Sequence, residues 1–144
     1  MQAHLPRQRW FAVAALPLLF VTSTLSYVYE HVVVLKEEPI ARLQGLVRDP
    51  SGGPVADVIV ELFDDPERQT LPYEQAVKAK PQRKLGETHT SPKGAFRLPR
   101  VRRGKYELRF TKNGFNPLSW IVVVDPKAAP KGRGALLVDL PIGG

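Results

Sequence analysis

The sequence predicts an all-β fold: a seven-stranded antiparallel β-sandwich preceded by one N-terminal hydrophobic helix. Three observations predict it. Several short runs alternate apolar and polar residues at period two, the pattern of strands buried on one face. Most of the 14 prolines and 11 glycines fall between these runs, where turns belong. A single uncharged apolar stretch stands apart at the N-terminus, from Trp10 to Val21, behind Arg7 and Arg9.

That stretch comes first. Apolar character continues through Leu25, Tyr27 and Val28, and Glu30 is the first acidic residue. Residues 10–28 are about the length that spans a bilayer as a helix. The basic flank and apolar core equally suit a secretory signal, with Thr24 and Ser26 as small residues for a peptidase. Residues 1–29 are therefore read as a signal peptide or an N-terminal membrane anchor. In both cases Arg7 and Arg9 favour the cytoplasmic side, which places the remainder outside the cytoplasm.

Residues 30–40 read as a stem or a short edge strand, and residues 41–141 as the sandwich. Leu43, Gly45 and Val47 share one face of the first domain strand. Asp49-Pro-Ser-Gly-Gly-Pro54 is a turn, because Asp bonds to backbone ahead of it, Pro fixes φ and Gly accepts positive φ. Val55 to Phe63 follows with Val58, Val60 and Leu62 inward. Residues 64–83 form a polar insertion with three prolines and one helical turn near Tyr73–Lys80. Lys84–Thr90 and Ala95–Pro99 pair around Pro92-Lys-Gly94. In Lys105–Thr111, Tyr106, Leu108 and Phe110 point inward, while Lys105, Glu107, Arg109 and Thr111 form a solvated face. Leu118–Asp125 carries Trp120 in step with Val122 and Val124, so that tryptophan belongs to the core. Ala135–Leu140 is the last strand.

These residues resemble a known family. Gly45-x-Val47-x-Asp49-x-x-Gly52-x-Pro54-Val55, Val58-x-Val60-x-Leu62, Thr90-x-x-x-Gly94-x-Phe96 and Gly104-x-Tyr106-x-Leu108, with the Gly114-Phe115 pair, are similar to the carboxypeptidase regulatory-like domain. The resemblance covers about residues 41–140 and implies a prealbumin-like (Ig-like) sandwich that serves as a module beside other domains. Its motifs record turns and core positions rather than chemistry.

Chemistry is sparse. Cysteine is absent, which excludes disulfides, thiolate metal sites and a Cys nucleophile. His4, His31 and His89 are scattered, with no His-Glu-x-x-His and no Gly-x-Ser-x-Gly. The zinc peptidase chemistry in the family's name belongs to a catalytic domain whose motifs this sequence lacks. The Tyr-Arg-Gly-Ser tail of transthyretin-like hydrolases is replaced by Leu140-Pro-Ile-Gly-Gly144. No catalytic residue, cofactor or metal is expected, and the reading is not an enzyme. The net charge of +7 is concentrated between Lys93 and Lys112, where Glu107 alone opposes eight cations. Arg100, Arg102, Arg103 and Lys105 are the candidate contacts for an anionic partner; Leu71, Tyr73, Lys78 and Lys80 are the candidates for a protein. The expected function is a non-catalytic binding or structural module of the bacterial cell envelope, periplasmic and anchored or secreted. An envelope protein is the expected partner, with acidic polysaccharide or lipid headgroups as the alternative. Nucleic acid is not expected outside the cytoplasm.

Overall fold

A computed structural model describes residues 31–131 and 134–143. The apolar segment 10–28, with the expected N-terminal helix, lies outside the described residues. Eight strands follow in order: β1 Val32–Ile40, β2 Gln44–Arg48, β3 Ile59–Phe63, β4 Lys84–His89, β5 Ala95–Arg97, β6 Gly104–Thr111, β7 Leu118–Val124 and β8 Leu136–Asp139. A 3-10 turn, Pro66–Thr70, and one short helix, α1 Tyr73–Lys78, occupy the insertion. One sheet has the order β1-β7-β6-β3-β4, the other β5-β2-β8.

The all-β sandwich is as expected, with two differences. The seven expected strands are β2 to β8, and the segment read as a stem or short edge strand is a nine-residue eighth strand on the edge of the larger sheet. The sandwich is also not purely antiparallel. β1 pairs with β7, and β2 with β8, in parallel. Tight turns impose antiparallel pairing on sequence neighbours. These pairs join strands far apart in the chain, where no turn sets direction. β3 is shorter than the expected 55–63 run, because Asp57 takes a positive φ of 54° and interrupts it.

The core lies between the sheets. Val47, Val60, Leu62, Leu108, Phe110, Val122, Val138 and Leu140 are all buried. Phe110 meets Phe96 and Trp120 edge-on, with centroids 5.6 and 6.2 Å apart, a favoured aromatic geometry. Trp120 is 5% exposed and packs in the core rather than forming a sugar platform. Two glycines permit close approach. A Cβ on Gly45 would strike the Leu136 carbonyl across the β2–β8 ladder; on Gly94, at φ 76°, it would strike the Val47 carbonyl. Thr90 ties the β3 approach to β4. Its hydroxyl accepts from the Val58 amide (2.9 Å) and donates to the Val55 carbonyl (2.7 Å).

Three surface carboxylates, Asp49 half-buried and the other two exposed, are held in ionised form. Asp49 is shifted below its ordinary range by the Ser51 hydroxyl first and the Gly53 amide next. Glu87 is lowered by Lys84, and Asp139 by Arg48. A depressed folded-state pKa stabilises the fold above the unfolded value, about 4 for these groups, and that contribution disappears as pH falls through the folded values. The melting temperature should therefore decline on acidification below about pH 4, and Asp49→Asn should flatten the decline. An acid limb of the wild type unaltered in the variant would remove Asp49 from this account.

The strand register sorts the loops to two ends. β1 starts beside Leu118 and finishes beside Val124. Gly104 also pairs with Val124, and Phe63 with Glu107. The bend after β1, the insertion after β3 and the connection entering β6 thus leave the larger sheet toward one end. β1 begins at the opposite end, beside the turn at 112–117.

Candidate functional site

The two surfaces expected to make contact emerge toward the same end of the larger sheet. The insertion is closed at its neck by the Asp64 amide donating to the Arg83 carbonyl (3.1 Å) and by an Arg83–Asp64 ion pair (3.2 Å). Arg68 then bonds the Lys80 carbonyl (2.6 Å) and reaches the Ala79 carbonyl (3.3 Å), pulling the two limbs together. Gln82 fixes the insertion to the sheet. Its Nε2 donates to the Glu107 carboxylate (2.7 Å) and lies 3.1 Å from the carbonyls of Asp64 and Asp65.

Glu107 corrects the sequence reading. Period-two alternation put it on the solvated face, yet it is completely buried. Its carboxylate also accepts from the Ser119 hydroxyl (2.7 Å) and from Arg109 (3.1 Å). Arg109 lies over the Phe63 ring (4.2 Å), and His31 Nε2 is 2.8 Å from Ser119 Oγ. Polar groups on every side replace the water that burial removes, which is how a buried acid is tolerated. Ser, His and an acid meet here, but not as a nucleophilic triad. The Ser119 hydroxyl donates to the acid and is itself fully buried, so no substrate reaches it.

The fastened insertion leaves apolar side chains in water. Tyr73 is 83% exposed and Val77 62%, one helical turn apart on α1, with Leu71 just before them. Lys78 and Lys80 are exposed beside them. The expected residues Leu71, Tyr73, Lys78 and Lys80 therefore form one surface. Val77 was missed, although the i, i+4 spacing to Tyr73 was readable once a helix was expected there.

The basic loop is divided. Arg103 pairs with the buried Asp125 (2.9 Å), whose other oxygen accepts from the Lys127 amide (3.1 Å). Tyr106 clips the loop by donating to the Arg102 carbonyl (2.8 Å). Arg100, Arg102 and Lys105 have no carboxylate partner among the described residues. Beside the loop lies a cleft of about 290 Å³ where the β1–β2 bend meets the β5–β6 connection and the end of β7. Arg42, Arg97 and Arg100 line it. Arg42 was missed, because it is remote from the basic segment in the chain and only strand pairing brings it there.

No group of three or more His, Asp or Glu among the described residues could hold a metal ion, and no helix among them is long and apolar enough to cross a membrane. Curated proteins give no match. Among solved structures, the chain is similar to 3-chlorocatechol 1,2-dioxygenase from Rhodococcus opacus 1CP at 14% identity and a TM-score of 0.44. The alignment covers 80% of this chain and only 65% of that one, and so weak a likeness carries no argument about activity. The family model for the carboxypeptidase regulatory-like domain matches residues 42–131, from the bend after β1 into the connection before β8. On that match the chain belongs to the carboxypeptidase regulatory-like domain family, whose members are non-catalytic β-sandwich modules.

Proposed function

We propose that this chain is a non-catalytic binding module of the bacterial cell envelope, acting outside the cytoplasm through contact of its insertion with another envelope protein. The N-terminal apolar segment supplies the address, as a membrane anchor on the periplasmic side or as a secretion signal. One observation carries the contact. Tyr73 and Val77 are held in water on a helix whose flanks are fastened by Arg68, Arg83 and Gln82. Apolar residues presented from an ordered backbone lose little conformational entropy on docking, and an aromatic anchor is typical of binding hot spots.

The test is crosslinking of the tagged full-length protein in intact cells. Wild type should capture one envelope protein through Lys78 or Lys80. The double variant Tyr73→Ala/Val77→Asp should capture it about tenfold less at an unchanged melting temperature. Equal capture by both would defeat the reading.

A second reading rests on Arg100, Arg102, Arg103 and Lys105, which would meet acidic polysaccharide or lipid headgroups; the absence of carboxylate partners for three of them among the described residues supports it. Salt separates the two. Contacts between exposed charges weaken as the Debye length shrinks from about 10 Å at 0.1 M to about 3 Å at 1 M. A contact built on Tyr73 and Val77 survives that change.

A further inference from the structure

The described arginines fall into two sets. Arg48, Arg83, Arg103 and Arg109 pair with carboxylates, and Arg68 bonds two backbone carbonyls. Among the described residues, the four without such partners are Arg42, Arg97, Arg100 and Arg102, and all four lie at the end of the sandwich that carries the cleft. Three of them line it, and no acidic residue among those described does. Like charges gathered in a concavity repel one another and focus a positive field into it. Asp125, whose chain neighbours Val124 and Pro126 line the cleft, is paired with Arg103, and Glu38 lies with Arg42 on a neighbouring groove rather than in the cleft.

Protection of a sheet edge explains only part of this. Arg97 lies on β5, an edge strand, where a charge discourages pairing with another chain. Arg42 lies in the bend after β1 and Arg100 in the connection after β5. Neither position has a ladder to protect.

The cleft's shape narrows the ligand. Leu43, Leu98 and Val124, all buried core residues, contribute to its wall beside the arginines. Its volume of about 290 Å³ sits at the lower limit of small-molecule sites, roughly 300–1,000 Å³, and suits one ring rather than a larger ligand. Guanidinium groups recognise carboxylate and phosphate through paired, planar hydrogen bonds. We propose that Arg42, Arg97 and Arg100 form a binding site for one acidic sugar unit, bearing a carboxylate or a phosphate, with the apolar wall against its ring.

Orientation favours a glycan over a headgroup of the membrane that would hold the N-terminal segment. The cleft is at the finishing end of β1, nine residues from where the strand begins, about 30 Å of extended chain. This inference rests on the reading of the chain as a binding module but not on its insertion. Variants of Tyr73 and Val77 should leave the cleft intact, so the two proposals can fail separately.

The experiment is calorimetric titration of the full-length protein in neutral detergent with glucuronate, glucose 6-phosphate and glucose. Saturable binding of at least one acid, with none of glucose, is expected. Arg42→Gln, Arg97→Gln and Arg100→Gln should each weaken it about tenfold, while Arg48→Gln, which alters an arginine paired with Asp139 away from both proposed surfaces, should not. Absence of saturable binding, or equal weakening by Arg48→Gln, would overturn the site. Binding to phosphatidylglycerol vesicles that neither acid displaces would overturn it in favour of a lipid surface.

Discussion

Leu108→Asp is expected to abolish cooperative unfolding of this domain. Leu108 is wholly buried on β6, paired with Leu62 of β3 on one side and Trp120 of β7 on the other. Removing the leucine sacrifices packing worth about 2–5 kcal/mol, as large-to-small core substitutions do. The aspartate must then be either ionised in an apolar layer or protonated at a cost set by its raised pKa. Together these approach or exceed the lower part of the 5–15 kcal/mol range of domain stability. Circular dichroism against temperature should show no sigmoidal transition. A variant that melts within a few degrees of wild type would mean that β6 is not central to the core.

The second large effect concerns Glu107. Glu107→Ala should lower stability by about 3–5 kcal/mol, the usual consequence of removing one partner from a buried charged network. Arg109, the Ser119 hydroxyl and Gln82 would all lose an acceptor. Glu107→Gln keeps the shape and one carbonyl oxygen, and should lose less. Urea denaturation measures both. The alanine variant should also accelerate amide hydrogen exchange across residues 64–83, because Gln82 links the insertion to the sheet through Glu107. A loss below 1 kcal/mol, or unchanged exchange, would show that the insertion is held by other means.

Glu107 also marks the limit of what a sequence discloses. Strands β2 to β8 were legible because the inward residues Leu43, Val47, Val60, Leu62, Leu108, Phe110 and Val122 repeat at period two within each run. Period two says which side of a sheet a residue faces. It does not say what lies over that side. Glu107 and Ser119 face outward as the alternation requires, and are buried because they bond to each other and to residues from distant parts of the chain. β1 was ambiguous for a related reason: Val33 and Leu35, the residues between its inward ones, are also apolar, so no polar face marks it as a strand. At the candidate site, Tyr73 and the basic loop were visible locally. Arg42 joined the cleft only through the pairing of β2 with β5, a contact between remote segments that composition and spacing do not record.

The parallel pairing of β1 with β7 has a mechanical consequence. Force entering the domain from residue 31 and resisted at the insertion or the cleft acts along β1, from its first residue toward the far end of the sheet. The ladder to β7, in register from Val32 to Lys36 and again at Ile40, then carries the load in shear. Its hydrogen bonds lie across the direction of pull and share the tension, whereas a hairpin opened from its turn yields one bond at a time. Were the chain held at residue 31 and engaged at the insertion or the cleft, this ladder would bear the load along the strand axis.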